Sequence, residues 1–250
     1  MGKDKLRRFA ENLTFSCFVQ PEFEAVFHRD HPLKGRWGAD FFHNDRPLVL
    51  ELGCGRGEYT VALAEREPGK NFIGIDIKGA RMWRGAKTVT ERGMSNAGFL
   101  RTRIELIESF FAPGEVAEIW ITFPDPQLKT RRAKKRLTGP LFLERYARML
   151  APGGLIHLKT DSQHLYRYTQ AVIDRYGLEC QAAEEDIYGT GYADEKLSVK
   201  TAYEAMFLDR GLPITYTRFT LGDRTDFPWF DWEGDDVAEK DSEEARKRAK

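Results

Sequence analysis

The sequence predicts an α/β fold with a mostly parallel sheet and helices on both faces. Three observations carry that reading. Short apolar runs alternate with amphipathic stretches of helical length. The first run stops at a glycine cluster, and polar residues or turn formers stand directly after the others. In such sheets ligands bind at the carboxyl ends of the strands, near the point where strand order reverses.

The elements follow in order. Leu48-Val49-Leu50-Glu51-Leu52 is a buried strand that ends at Gly53. Residues 58–66 have helical spacing and are closed by Pro68-Gly69. Phe72-Ile73-Gly74-Ile75 is a second strand ended by Asp76, and 78–92 a second helix stopped by Gly93. A third strand falls at 97–102. The fourth, 118–123, is broken by Pro124 and Pro126. Residues 140–150 form an amphipathic helix stopped by Pro152-Gly153-Gly154, followed by a fifth strand at 155–159 and a helix at 165–175.

The 250 residues suit one such domain. The reading divides them into an aromatic-rich N-terminal extension (1–46) that packs on the core or folds over a ligand, a domain at 47–222, and a flexible tail at 223–250. Apolar residues make up 41% and charged residues 31%, which excludes collagen-like and largely disordered chains. Apolar runs such as 119–123 fall far short of the ~20 residues that cross a bilayer. The charged N-terminus is no secretory signal. Cys17, Cys54 and Cys180 form no CxxC pair, so a reducing cytoplasm is expected, without disulfides. The five histidines lack ligand spacing, and no metal is expected.

Lys and Arg balance Asp and Glu, 39 against 39, yet the charge is unevenly placed. Residues 129–136 read Lys-Thr-Arg-Arg-Ala-Lys-Lys-Arg, six cations in eight positions, while 231–250 carry eight acids and five bases. A one-signed run that abuts a strand-end loop suits a polyanion whose backbone must be held.

Two strand ends carry chemistry. Gly53-Cys54-Gly55-Arg56-Gly57 lets the backbone turn sharply beside a ligand. A dinucleotide fingerprint needs glycine at its sixth position, where Glu58 stands, and the Walker lysine is absent. Acids on both sides of the loop suit a cofactor with a positive centre and an amino-acid end. Asp76, 23 residues after Gly53, is spaced to take the hydroxyls of a ribose. After the fourth strand, Pro124 and Pro126 stiffen a loop around Asp125.

With these residues in view, the chain resembles the bacterial tRNA (guanine-N7-)-methyltransferases from roughly residue 8 to 219. The resemblance rests on Glu51 with the glycine loop, Gly74-Ile75-Asp76, Phe123-Pro124-Asp125-Pro126, the basic run, Lys159-Thr160-Asp161 and Thr201-Ala202-Tyr203-Glu204. It implies a Rossmann-like class I methyltransferase fold with seven strands, the 47–222 domain using S-adenosylmethionine to methylate N7 of a tRNA guanine, at position 46 of the variable loop. Cofactor binding would fall to Glu51, Gly53, Gly55, Gly57, Asp76, Arg103, Ile104 and Asp125, with Asp125 also catalytic. Substrate binding would fall to Lys129, Asp161, Thr201, Tyr203 and Glu204, and RNA contact to Arg131, Arg132, Lys134, Lys135 and Arg136. Arg103-Ile104 stand where the family usually has Asp or Asn followed by Ala. Gln127-Leu128 stand where an aromatic or His commonly follows. The partner would be tRNA, with no membrane, and the chain a monomer or homodimer. The alternatives are a small-molecule methyltransferase on the same fold and a non-catalytic RNA-binding module.

Overall fold

The computed structural model describes residues 3–235. One sheet is built from β1 (Phe18–Val19), β2 (Leu48–Leu52), β3 (Asn71–Asp76), β4 (Ala97–Arg101), β5 (Val116–Thr122), β6 (Leu150–Thr160), β7 (Glu179–Glu184) and β8 (Thr215–Thr220). Their order across it is β1-β4-β3-β2-β5-β6-β8-β7. Every pairing from β1 to β6 is parallel, and β8 runs antiparallel to β6 and to β7. The sheet thus has eight strands instead of the expected seven. The addition is β1, a two-residue piece of the N-terminal stretch that pairs with Phe99 and Leu100 and is too short to show a period.

The helices are α1 (Lys3–Asn12), α2 (Phe23–Val26), α3 (Glu58–Arg66), α4 (Gly79–Glu91), α5 (Pro140–Ala147), α6 (Gln163–Tyr176) and α7 (Ala202–Leu208). Side chains alternate along a strand, and β2 serves two cores this way. Leu48, Leu50 and Leu52 join Ile73, Ile119, Phe142 of α5 and Val172 of α6. Val49 joins Phe72, Phe99 and Trp120 with Leu63 of α3 and Met82 of α4. A strand buried on both faces reads as the continuous apolar run seen in the sequence. The strand order reverses between β2 and β5, so the carboxyl ends of β2, β3 and β5 part around a crevice.

The N-terminal stretch is built into this frame. Asn12 Nδ2 donates to the Gly79 carbonyl at 2.9 Å, and Trp83 Nε1 donates to Glu11 Oε2 at 2.9 Å, which fixes α1 along α4. Trp37 is fully buried, its indole N–H donating to the Phe110 carbonyl at 2.8 Å.

Within the tail expected to be flexible, residues 223–235 are described and pack against α6. Phe227 meets the Tyr176 ring at 5.1 Å, Phe230 stacks with Tyr168 at 6.2 Å, and Tyr176 Oη donates to the Pro228 carbonyl at 2.5 Å. With Trp232, which meets Tyr168 at 5.4 Å, three aromatics of this segment find rings on α6. The remainder of that tail, 236–250, lies outside the described residues. Among the described residues no helix is long and apolar enough to cross a membrane. None of their His, Cys, Asp and Glu side chains gather in a group able to hold a metal ion.

Candidate active site

The crevice begins where β2 ends. The N–H groups of Gly53 and Cys54 both donate to the Ile75 carbonyl, at 2.8 and 3.1 Å, drawing the loop against β3. Gly55 N–H then reaches Asp76 Oδ2 at 3.0 Å, and Lys78 N–H reaches Oδ1 at 2.8 Å. Two backbone donors therefore aim the Asp76 carboxylate and leave it further acceptor sites. Gly53 sits at φ +81°, which only glycine adopts freely, and a Cβ there would meet nothing within 4 Å. The loop presents bare backbone to open space.

Glu51 lies in the floor. It is 4% exposed and accepts from Thr122 Oγ1 at 2.6 Å and from the Thr60 hydroxyl on α3. Burial pushes its carboxyl up to about 7, against the two threonine hydroxyls, which pull the other way. Near neutral pH it stands between its two forms, and a cation brought above it favours the ionised one. Burial, with the charges of Glu51 and Asp76, pushes the Cys54 thiol well up. A protonated thiol is no nucleophile. The cleft measures about 1040 Å³, ample for a nucleoside cofactor. Arg8 of α1 and Arg84 and Trp83 of α4 reach its lining, as do Phe123, Thr122 and Thr201.

β5 leads into the proline loop. Phe123 and Gln127, both non-glycine, hold left-handed φ values of 48° and 51° on either side of Asp125. Each such residue costs roughly 1–3 kcal/mol unless its surroundings hold it. Phe123 N–H donates to the Lys159 carbonyl at 2.8 Å, and Gln127 N–H donates to Asp125 Oδ1 at 3.0 Å. Asp125 itself is exposed at the carboxyl edge of the sheet. The basic run follows as a 3-10 turn, Thr130–Lys135, with Arg131, Arg132, Lys134 and Lys135 exposed.

A third wall comes from the end of β6 and α7. Lys159 is fully buried, and its ammonium donates to the carbonyls of Leu197 (2.6 Å) and Val199 (3.1 Å) and pairs with Glu204 at 2.7 Å. Burial lowers the Lys159 pKa, and the Glu204 charge opposes that. Tyr188 Oη donates to the same Glu204 carboxylate at 2.7 Å. Thr201 caps α7, its hydroxyl accepting from Glu204 N–H at 3.2 Å.

An open cleft at the carboxyl edge of the sheet, with an aimed carboxylate and bare glycine backbone, is where open α/β sheets take ligands, and known proteins bear on it. A family model described as "Putative methyltransferase" matches residues 45–217. The tRNA (guanine-N(7)-)-methyltransferase of Christiangramia forsetii is 53% identical over 221 residues, 88% of this chain and 99% of that one. Its namesake in Porphyromonas gingivalis is 57% identical over 213 residues, 84% of this chain and 86% of that one. The chain belongs to the tRNA (guanine-N7-)-methyltransferase family. Among solved structures, the 16S rRNA methyltransferase KamB superposes with a TM-score of 0.54 at 14% identity, covering 70% of this chain and 88% of that one. At that identity it shows the class I methyltransferase fold alone.

Within this family member, Glu51, Gly53, Gly55, Asp76 and Thr201 meet around the cleft, while Asp125 is not among its lining residues, which Thr122 and Phe123 of the same segment reach. Five other expectations change. Gly57 does not line it: a Cβ there would fall 2.4 Å from the Phe99 ring, so this glycine lets α3 close onto β4. Arg103 turns its guanidinium over Phe23 at 5.5 Å, and Ile104 packs on the core, so neither reaches the cleft lining. Glu204 is fully buried and committed to Lys159 and Tyr188, which leaves it no face toward a substrate. Arg136, read as an RNA contact, is also fully buried and pairs with Asp235 at 2.5 Å. Its partner lies 99 residues downstream, where no local pattern could reveal it. Asp161 is half-buried, with burial raising its pKa. Lys129 is half-buried just before the basic turn. Only the backbone of Tyr203 is described, within α7. Lining residues that sequence reasoning missed include Arg8, Arg81, Trp83, Arg84 and Met206, which come from helices α1, α4 and α7.

Proposed function

We propose that the chain transfers the methyl group of S-adenosylmethionine to N7 of a guanine in tRNA, the variable-loop guanine at position 46, giving 7-methylguanosine. The observation that carries this reading is the cleft itself. Bare glycine backbone, Asp76 and the buried Glu51 line it together with Phe123, two residues before Asp125 on the strained proline loop, and four exposed cations follow on the same stretch of chain.

The residues fit that cofactor. Asp76 is already aimed by Gly55 and Lys78 and has acceptor sites for a ribose diol. Gly53 leaves room where any side chain would intrude. Glu51, poised near neutrality, favours a cationic ligand above it. When bound, S-adenosylmethionine supplies an electrophilic methyl group on a sulfonium.

Guanine N7 presents an in-plane lone pair with no proton, so no general base is required. The task of the protein is placement, and good alignment supplies roughly 7–11 kcal/mol of a bimolecular barrier. Asp125, fixed between two prolines, accepts from the guanine N1–H and 2-amino group and faces the positive charge that develops on the purine. Arg131, Arg132, Lys134 and Lys135 hold the phosphates.

The test is incubation of the protein with an unmodified tRNA transcript and methyl-labelled S-adenosylmethionine, followed by chain cleavage at 7-methylguanosine. Label at guanine 46, lost when that guanine is replaced by adenine, is the expected result. Label on another base or atom, or none, overturns the reading.

A further inference from the structure

Arg136 is the last cation of the basic run and the only one of the five expected RNA contacts with no exposure. Its guanidinium faces two ways. Toward the proline loop, Nε donates to the Pro126 carbonyl at 3.3 Å and Nη2 to the Gln127 carbonyl at 3.1 Å. Toward the C-terminal segment, Nη1 and Nη2 donate to Asp235 Oδ2 and Oδ1 at 3.1 and 2.5 Å. The group lies 4.3 Å over the Tyr168 ring and 6.0 Å from Trp232, with His164 Nε2 at 3.1 Å from Nη2.

The carbonyls it grips belong to the two residues directly after Asp125, one of them the left-handed Gln127. A loop with left-handed non-glycine residues on both sides of Asp125 needs outside support to stay as it is. A buried guanidinium gives that support only while its charge is matched, and Asp235 is the carboxylate that matches it. Asp235 is in turn held by the segment of 227–235 that lies along α6, beyond the 45–217 stretch matched by the family model.

We infer that residues 227–235 are a strap that positions the catalytic loop, with Asp235 and Arg136 as positioning residues for Asp125. Neither touches substrate. Removing the Asp235 charge strands Arg136, which turns to solvent and releases the carbonyls of Pro126 and Gln127.

The kinetic part of the test rests on the methyl-transfer reading above; the proteolytic part does not. Asp235→Asn is compared with wild type and with Phe227→Ala, which loosens the strap against Tyr176 without touching Arg136. Single-turnover methylation of tRNA, the dissociation constant of S-adenosylhomocysteine and the rate of tryptic cuts after positions 129–135 are measured for each. Asp235→Asn is expected to slow the methyl-transfer step tenfold or more, to leave the dissociation constant within twofold, and to speed those cuts at least fivefold. Phe227→Ala, which loosens the far end of the strap and leaves the Arg136–Asp235 pair in place, should lower Tm and change both rates in the same direction by less than Asp235→Asn does. A wild-type transfer rate and cutting rate in Asp235→Asn overturns the strap. If Asp235→Asn does not fold, Arg136→Lys stands in, keeping a charge for Asp235 while losing the fork to the loop. The same slow transfer is expected there, and a wild-type rate overturns the inference. If the wild-type protein transfers no methyl at all, the functional reading falls and the tryptic cuts alone decide the strap.

Discussion

The two halves of the site are built on opposite terms. The half proposed for the cofactor is made of buried or half-buried groups that hold one another, with Glu51 on two threonines and Asp76 on two backbone N–H groups. The base half is an exposed carboxylate on a costly loop, held from behind by Lys159, Arg136 and Asp235. One half is held by contacts among neighbouring strand ends, the other in part by a relay from Arg136 to Asp235, 99 residues further along the chain. Damage to the first should cost stability and affinity together. Damage to the second should cost rate alone.

The sharpest break is Asp125→Ala. Loss of a group aimed at developing charge costs about 100-fold or more in rate. Because Asp125 is exposed, Tm and cofactor affinity should stay near wild type. A parallel fall in Tm would erase the contrast. Next comes the combined replacement of Arg131, Arg132, Lys134 and Lys135 by Gln. tRNA affinity should fall at low salt, and the slope of log K against log salt should flatten by about 0.7–0.9 for each phosphate no longer neutralised. An unchanged slope would remove the basic turn from the RNA interface. In the other half, Asp76→Ala strips two backbone donors of their acceptor and the ribose of its partner. Each loss is worth roughly 1–3 kcal/mol, so cofactor affinity should fall about 10–100-fold and the melting temperature with it. Calorimetry that shows lower affinity at unchanged stability would contradict the account of the loop.

Glu51 gives the smallest and most specific effect. Its folded pKa is raised from 4.5 to about 7, so the native state holds this proton more tightly than the unfolded chain does. Stability from this group is therefore fully present below pH 4.5 and declines as pH rises to about 7. Glu51→Gln should flatten the fall in Tm across that window and stabilise the protein above it. A thermal melt series from pH 4 to 8 that shows parallel curves for the two proteins would contradict this.

Much of the frame was legible because its signals are local. The runs at β2, β3 and β5 are mostly apolar and buried along their length because both faces are covered, and the glycine loop and Asp76 stand at strand ends where the chain must turn. Residue type alone misled where charge is concerned. Glu204 and Arg136 look like surface groups in sequence, yet each is buried against an opposite charge 45 or 99 residues away. Arg103 carries no mark that it turns toward Phe23, and Gly57 looks like a ligand glycine until the Phe99 ring is seen against it. The N-terminal stretch was expected to pack on the core, but its partners were not legible, nor were those of 227–235. α1 and the 227–235 segment dock through single aromatic and hydrogen-bonded contacts that have no period.

The short strand β1 has a consequence for biosynthesis. Phe18 and Val19 pair with Phe99 and Leu100, so the start of the chain has no sheet edge to join until some eighty residues more have emerged. At bacterial translation speeds that is a wait of roughly 4–16 s. Through that interval Phe18 lacks the strand it pairs with, and α1, beside the cleft, is made before α4, along which it docks.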